Sequence, residues 1–233
     1  MEIRFDNKTA LITGGTAGIG LACAELMGSL GARVAICGTN PAKLEKAVQE
    51  LKEKGIAVFG ETCDVSDASS LQSFAANAQE ALGPMDIWVS NAGIYPQYSI
   101  IDTSEELWDK TVDTNMKSVY LGARIAFEAM KERGGVMLLA SSFAALFPSV
   151  GSGVYAATKS AVSSMVKTLA AELAPYGIRV NGYIPGVINT DMNHALIAEK
   201  GDQLRGAIAM QTFGEAIDVA WAMAFLASDY ARY

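Results

Sequence analysis

Short apolar runs alternate with amphipathic segments along almost the whole chain. The runs predict six strands, which are placed at residues 8–13, 33–37, 56–61, 86–90, 136–140 and 178–184. Helical spacing of apolar residues between them predicts helices over 19–30, 41–54, 67–82 and 104–131, and from Tyr155 to about Tyr176. Near-continuous apolar strands that alternate with helices indicate a parallel sheet with helices on both faces. The pattern therefore predicts an α/β fold with a doubly wound sheet in three layers.

Composition narrows the class of protein. The sequence has no linker, repeat or low-complexity tract, so residues 1–233 are interpreted as one domain. A net charge of −7 disfavours nucleic acid or an anionic membrane as partner. The charged start of the chain does not fit a signal peptide, and the late apolar run at 219–227 is too short to span a bilayer. We expect a soluble, cytoplasmic protein.

Metal and hydrolytic chemistry have little support. Cys23, Cys37 and Cys63 form no C-x-x-C pair, and His194 is the one histidine, so no zinc-ligand set is present. The three cysteines are interpreted as small buried thiols in a reducing compartment, and Cys37 and Cys63 both close strands that are expected to be neighbours. We predict no metal site.

A glycine cluster joins the first strand to the first helix. The run from Thr13 to Gly20 reads T-G-G-T-A-G-I-G. Glycines let the backbone approach a ligand, and the free amides of a helix N-terminus bind phosphate. The spacing is not that of the G-x-G-x-x-G fingerprint, and no lysine follows as in a Walker loop. The context favours a dinucleotide pyrophosphate over an empty turn.

A tyrosine and a lysine share one face of a predicted helix. Tyr155 and Lys159 are four residues apart, which places both side chains on one side of the helix. A nearby ammonium lowers the pKa of a phenol, which can then exchange a proton with an alcohol or carbonyl oxygen. Ser142 follows a strand and can offer a hydroxyl to the same oxygen. The pair alone is weak evidence, because an exposed helical face is the default explanation for it.

Taken together, the motifs resemble one enzyme family. T-G-x-x-x-G-I-G, then N-A-G at 91–93, Asn115, Ser142, Y-x-x-x-K and Pro185-Gly186 occur in the order found in the short-chain dehydrogenase/reductase family. The resemblance runs from about Lys8 to the last residue and implies a Rossmann-like fold. It implies an oxidoreductase that moves a hydride between a nicotinamide and a ketone or aldehyde.

The resemblance assigns the catalytic roles. Tyr155 would be the general acid or base, Lys159 would lower its pKa and hold the nicotinamide ribose, and Ser142 would bond the substrate oxygen. Asn115 would distort the long helix and hold a water in a proton relay through Lys159.

The resemblance also carries over positions that contact the cofactor. Those of the glycine loop and the second and third strands are Gly14, Thr16, Gly18, Ile19, Gly20, Gly38, Thr39, Asn40, Asp64 and Val65. Those further along are Asn91, Ala92, Gly93, Tyr155, Lys159, Pro185, Gly186, Ile188 and Thr190. A turn or helix cap is the alternative role for Asp64, and the N-A-G run stabilises the sheet in either case.

The choice between NADP(H) and NAD(H) falls after the second strand. An acidic residue there would bind the ribose 2′-hydroxyl, but this chain has Gly38, which leaves room for a phosphate. The arginine common in NADP-using relatives is replaced by Thr39, and Ala17 stands where such enzymes often have a basic residue. Because Thr39, Asn40 and Lys43 can bind a phosphate, NADP(H) is favoured over NAD(H).

The substrate is expected to be a neutral or hydrophobic carbonyl compound or alcohol. The resemblance places its pocket along 94–98, 143–152, Tyr183 and 193–210. Tyr95, Phe143 and Phe147 are the predicted substrate-binding residues besides Ser142 and Tyr155, and Leu146, Val150 and Met192 add apolar lining. Lys200 and Arg205 are the only basic residues of these segments.

Three alternatives remain open. A 3-oxoacyl-carrier-protein reductase would need a basic patch, which the net charge disfavours, whereas a non-catalytic dinucleotide sensor would be expected to lack Tyr155 or Lys159. An epimerase or dehydratase would be expected to have a longer substrate region. Relatives continue past F-L-A-S at 225–228 into a seventh strand. Either that strand lies outside the given sequence or the protein lacks it, and a genuine absence would leave the sixth strand as an exposed edge. A homo-oligomer, a tetramer or a dimer, is expected from the resemblance.

Overall fold

A six-stranded parallel sheet is the centre of the molecule. The computed structural model describes residues 2–147 and 149–233. The strands are β1 (Thr9–Thr13), β2 (Arg33–Gly38), β3 (Val58–Thr62), β4 (Ile87–Ser90), β5 (Gly135–Ala140) and β6 (Ile178–Tyr183). Their order in the sheet is β3-β2-β1-β4-β5-β6, and every neighbouring pair is parallel. The order reverses between β1 and β4, so the sheet is doubly wound as the sequence predicted.

Helices cover both faces of this sheet. They are α1 (Gly18–Ser29), α2 (Pro41–Glu53), α3 (Ala68–Leu82), α4 (Glu105–Val112), α5 (Ser118–Met130), α6 (Gly153–Leu173), α7 (His194–Ala207) and α8 (Ala216–Ala227). Alternate residues of β1 enter two separate cores: Ala10 and Ile12 pack with α1, α2 and α8, whereas Leu11 packs with α3, α5 and α6. This alternation follows from the two-residue period of a strand and gives the three layers.

The predicted strands are present with small shifts at their ends. The third strand begins at Val58, two residues after the predicted start. A further pair of short strands, β7 (Ile188–Asn189) and β8 (Gly214–Glu215), was not predicted, because two residues are too few for a periodic signal. Strand β6 is at one end of the six-stranded sheet.

The long predicted helix over 104–131 is interrupted. Ser104 caps α4 by accepting a hydrogen bond from the amide of Leu107 at 3.2 Å. One π-helical turn, Asp113–Lys117, then separates α4 from α5. The extra residue per turn rotates Asn115 into the interior, which confirms the predicted distortion at this residue.

Membrane crossing is not supported by any described helix. None of the helices in residues 2–147 and 149–233 has both the length and the apolar composition that a bilayer span requires.

Candidate active site

The main cleft opens at the carboxyl ends of the strands. It has a volume of about 700 Å³ and is lined by the glycine loop, the N-A-G run, the start of α6 and the segment from Pro185 to α7. In doubly wound sheets, ligands bind outside the strand ends where the strand order reverses, here between β1 and β4. The location of the cleft is therefore that of a nucleotide site.

The glycine loop is shaped for close approach of a ligand. Gly14 and Gly18 have positive φ angles of 65° and 53°, which only glycine adopts without strain. A Cβ on Gly14 would lie 2.8 Å from Cα of Ala92, and one on Gly18 would lie 3.2 Å from the side chain of Thr190. Helix α1 begins after Ala17 with no side-chain cap and no acidic residue in its first turn. Its amides and dipole therefore suit an anionic pyrophosphate.

Asn91 joins the ends of three strands. Its side-chain amide donates hydrogen bonds to the carbonyls of Thr13 and Gly14 at 3.2 and 3.1 Å. Its oxygen accepts the hydroxyl hydrogen of Tyr183 at 3.1 Å. The predicted structural role of the N-A-G run is confirmed, because these bonds fix β4 against the glycine loop and β6.

Tyr155 and Lys159 lie on one face of α6 and point into the cleft. The ammonium nitrogen of Lys159 is 5.7 Å from the centre of the Tyr155 ring. It donates a hydrogen bond to the carbonyl of Ala140 at the end of β5, at 2.9 Å. Lys159 is only 4% exposed, so the strand end holds the ammonium in place from below.

Burial sets the protonation of this pair. Burial of the ammonium lowers the pKa of Lys159 from 10.5 to about 8. Burial also raises the pKa of Tyr155, while its interaction with the Ser142 hydroxyl acts in the opposite direction. The lowering of the tyrosine pKa that the resemblance assigned to Lys159 stays a prediction.

Asn115 is buried beneath the pair rather than lining the cleft. Its oxygen accepts the amide hydrogen of Ile94 at 2.8 Å, and its nitrogen donates to the carbonyl of Ile94 at 2.9 Å and to the Thr158 hydroxyl at 3.3 Å. Both polar atoms of the side chain are thus bonded to protein. The residue connects the π turn to the segment after β4 and to the helical turn that carries Lys159.

Ser142 is held beside the cleft by its own turn. Its hydroxyl oxygen accepts the amide hydrogen of Ala144 at 3.2 Å, which leaves the hydroxyl hydrogen to donate. The amide of Phe143 donates to the carbonyl of Pro185 at 3.0 Å. The serine turn and the Pro185-Gly186 segment therefore form one wall of the cleft.

Most predicted site residues line this cleft. They are Gly14, Thr16, Gly18, Ile19, Asn91, Ala92, Gly93, Tyr95, Ser142, Phe143, Phe147, Tyr155, Lys159, Pro185, Gly186, Ile188 and Thr190. Seven lie outside the lining: Gly20, Gly38, Thr39, Asn40, Asp64, Val65 and Asn115. Gly20 is instead buried against the carbonyl of Gly14, where a side chain would not fit.

The residues around the ends of β2 and β3 have clear local roles. The carboxylate of Asp64 accepts the amide and hydroxyl hydrogens of Ser66 at 2.9 and 2.7 Å, so it caps a turn. Asn40 caps α2 by accepting the amide hydrogen of Lys43 at 3.0 Å. A Cβ on Gly38 would lie 2.9 Å from Thr16, so the space expected beside this glycine is bounded by the threonine side chain.

Cys37 and Cys63 are buried and free, as expected, and their side chains interact. The hydrogen bond between the two thiols and the burial of Cys37 raise the pKa of Cys37. The same hydrogen bond lowers the pKa of Cys63. The described part of the chain holds no cluster of three or more potential metal-binding side chains.

Aromatic and aliphatic side chains form the outer end of the cleft. The edge of one ring of the Tyr95–Tyr155 pair faces the other, with centres 4.7 Å apart. Phe143 and Phe147 are stacked at 4.6 Å, and both are more than half exposed. Val150 and Met192 also line the cleft, whereas Leu146 faces a neighbouring pocket. Pro148 lies outside the described residues.

Two contacts of the site escaped sequence reasoning. Thr158 bonds Asn115 across 43 residues, and nothing in the sequence indicates a contact over that distance. Asp191 lines the cleft and forms an ion pair with Lys43, which was considered only as a phosphate ligand.

Comparison with known proteins identifies the family. The model of the short chain dehydrogenase family matches residues 8–201. The chain is 38% identical to human "Dehydrogenase/reductase SDR family member 4", over 97% of this chain and 83% of that protein. It is 38% identical to the Azotobacter vinelandii "L-rhamnose 1-dehydrogenase (NAD(P)(+))", over 97% and 92% of the two chains. It is 35% identical to a Staphylococcus epidermidis 3-oxoacyl-[acyl-carrier-protein] reductase, over 97% of this chain and 94% of that protein.

Solved structures share the whole fold. A dehydrogenase/reductase from Sinorhizobium meliloti superposes with a TM-score of 0.95 at 32% identity, covering 100% of this chain and 92% of the other. An actinorhodin polyketide ketoreductase variant with NADPH superposes with a TM-score of 0.93 at 30% identity, covering 97% of this chain and 92% of the other.

Proposed function

This chain belongs to the short chain dehydrogenase family, whose members are NAD(P)-dependent oxidoreductases of CH–OH and C=O groups, and we propose that it is a carbonyl reductase that uses NADPH. The observation that carries the proposal is that Tyr155, Lys159 and Ser142 line the same cleft as the glycine loop. A dinucleotide and a small carbonyl compound would fit side by side in this arrangement.

Tyr155 is the proton donor of the proposed reaction. Its phenol faces the cleft, and the hydroxyl of Ser142 is placed to bond the same substrate oxygen, where negative charge develops in the transition state. The phenol hydrogen passes to that oxygen during reduction and returns during alcohol oxidation. Asn115 positions the turn that carries Lys159, and we assign it to the proton relay through this lysine.

The residues present fit a dinucleotide. Gly14, Gly18 and the uncapped start of α1 would hold the pyrophosphate, and the segment from Pro185 to Thr190 would hold the nicotinamide end. When bound, the reduced nicotinamide supplies the hydride. Lys159 would bind the ribose hydroxyls next to it, and Asp64 with Val65 would contact the adenine.

NADPH is favoured over NADH by the surroundings of β2. Gly38 places no carboxylate at the end of this strand, and Lys43 adds a cation to the cleft. A carboxylate at this position would repel a 2′-phosphate, whereas the ammonium attracts it.

A neutral or apolar ketone or aldehyde is the proposed substrate class. Tyr95, Phe143 and Phe147 surround the outer end of the cleft beyond Tyr155. Burial of apolar substrate surface against them contributes about 25 cal/mol per Å².

A carrier-protein-bound 3-oxoacyl group is the second candidate, and the similarity to the Staphylococcus epidermidis reductase favours it. An acidic carrier protein would need free cations around the cleft. On α7, Lys200 pairs with Glu199 and Arg205 pairs with Asp202, at 3.3 and 3.0 Å. Each of these cations is matched by an acidic residue of the same helix, so α7 offers no excess of positive charge to an acidic carrier, and the free carbonyl compound stays the first choice.

Location, domain organisation and assembly complete the proposal. We propose a cytoplasmic enzyme made of one dinucleotide-binding domain and assembled as a homotetramer or homodimer. Exposed apolar residues on α8, Trp221 and Phe225, support an assembly because they would be covered in it.

The decisive test is oxidation of NADPH and NADH over a panel of ketones and aldehydes, with the Tyr155→Phe variant alongside. Loss of the phenol hydrogen should lower kcat/KM by about 10²–10⁴, while NADPH binding, followed by its fluorescence, stays unchanged. Tyr120→Phe on α5 is the matched control and should retain full activity. Tight cofactor binding without turnover on any substrate would instead indicate the dinucleotide sensor.

A further inference from the structure

An ion pair crosses the cleft between its two walls. The ammonium of Lys43 lies 3.1 Å from a carboxylate oxygen of Asp191, a residue 148 positions later in the chain. Both residues line the cleft. Lys43 is in the first turn of α2, directly after β2, and Asp191 follows Thr190, which packs over Gly18.

The Lys43 end of this pair lies where cofactors of this type differ. In doubly wound dinucleotide sites, the residues after the second strand face the ribose 2′ position. In this chain Gly38 has no side chain, and the amide oxygen of Asn40 is bonded to the Lys43 amide. Lys43 is therefore the cationic side chain closest in sequence to the end of β2 that reaches the cleft.

The pair is easily opened. The Lys43 and Asp191 side chains are 56% and 78% exposed, and an exposed pair of this kind contributes at most about 1 kcal/mol. A phosphate dianion carries more charge than a carboxylate and competes for the same ammonium. The two anions also repel each other, so Asp191 acts against a phosphate at this place.

We infer that Asp191 and Lys43 together determine how strongly this chain distinguishes NADPH from NADH, Lys43 by binding the 2′-phosphate and Asp191 by competing with it. This inference rests on the proposed dinucleotide site and adds a specificity determinant contributed by the opposite wall of the cleft. The repulsion of a 2′-phosphate that other dinucleotide sites place at the end of the second strand is supplied here from the segment before α7.

The test is a double-mutant cycle on cofactor binding, measured by quenching of protein fluorescence rather than by turnover. Asp191→Asn should tighten NADPH by roughly fivefold and change NADH by less than about twofold, because only the phosphorylated cofactor competes with the carboxylate. Lys43→Ala should weaken NADPH by about tenfold, and in its presence Asp191→Asn should lose its selective effect. The same cycle is repeated with 2′,5′-ADP and 5′-AMP as competitors of cofactor binding. These compounds are the adenosine halves of NADPH and NADH, with and without the 2′-phosphate.

Two charged residues serve as matched controls. Lys46→Ala removes a lysine one turn further along α2, where it pairs with Glu50, and Asp202→Asn removes an acid of α7 that pairs with Arg205. Neither lines the cleft, so neither should change the ratio of the two dissociation constants.

The outcomes separate this inference from the proposed function. A wild-type protein that binds NADH more tightly refutes the NADPH proposal, but the inference holds if Asp191→Asn still shifts the ratio toward NADPH only when Lys43 is present. Equal effects of Asp191→Asn on both cofactors, or an effect that persists without Lys43, would overturn the inference.

Discussion

The inner end of the cleft, where Lys159 lies above the buried Asn115, and the aromatic outer end are built on opposite principles. At the inner end, Asn115 and Lys159 are almost fully buried, and each polar group is bonded to the backbone of another element. At the outer end, Phe143 and Phe147 are more than half exposed and are held mainly by each other. The inner end fixes the position of a proton, whereas the outer end can adapt to the shape of a substrate. Substitutions should therefore affect chemistry and stability together at the inner end, and substrate preference alone at the outer end.

The largest effect is expected from Lys159→Met, which removes the buried cation. Turnover should fall by about 10²–10⁴, because the proton-transfer site loses its ammonium. Stability should change with pH as well. The folded-state pKa of about 8 lies below the ordinary value of 10.5, so the unfolded chain binds more protons between these two values. The free energy of unfolding contributed by this group therefore rises as the pH increases from 8 to 10.5, by about 3 kcal/mol.

The check is denaturant unfolding of both proteins across this pH range. Subtracting the curve of the Lys159→Met variant from that of the wild type cancels the titration of tyrosines and exposed lysines. Parallel curves would show that the lysine is not desolvated in the folded protein.

A smaller effect is expected from Asn115→Leu. The substitution keeps a similar volume but leaves the amide and carbonyl of Ile94 without their partner, which should cost about 2–4 kcal/mol of folding free energy. Activity should fall because the turn that carries Lys159 loses its support. Thr158→Val removes the bond from Asn115 at 3.3 Å and the local bond from the Thr158 hydroxyl to the carbonyl of Tyr155 at 2.7 Å, and it should cost about 1 kcal/mol. Urea unfolding of the two variants gives the comparison, and equal losses would contradict the role of the Ile94 contact.

The smallest and most selective effect is expected from Phe147→Ala at the outer end. The side chain is 55% exposed, so the free energy of unfolding should change by about 0.5 kcal/mol or less. The KM for bulky apolar ketones should rise about three- to tenfold, with little change for small ones, because the substrate loses apolar contact.

Leu146→Ala is the control for this prediction. It alters an equally exposed side chain of the same segment that faces the neighbouring pocket. Steady-state kinetics on a size series of ketones separates the two variants. The same rise in KM for small and large substrates would contradict the substrate-contact role of Phe147.

Sequence reasoning reached most of the inner end because its signals are local. The spacing of Tyr155 and Lys159 on one helix and the glycine run after β1 are short motifs whose geometry follows from helix and turn rules. Asn115 carried no such signal, and only the resemblance indicated the distortion that the π turn confirms. The assignment of catalytic and cofactor residues remains a prediction that the experiments above test.

The sequence by itself determined the order of strands and helices, the doubly wound class and the residues available for chemistry, because hydrophobic periodicity and turn residues act over short distances along the chain. Only the tertiary structure decided the direction in which the pKa values of Tyr155 and Lys159 shift, since desolvation depends on everything packed around a group. It also decided the bond between Asn115 and Thr158 and the ion pair between Lys43 and Asp191. These contacts join residues 43 and 148 positions apart, and the packing of separate elements on one sheet brings them together.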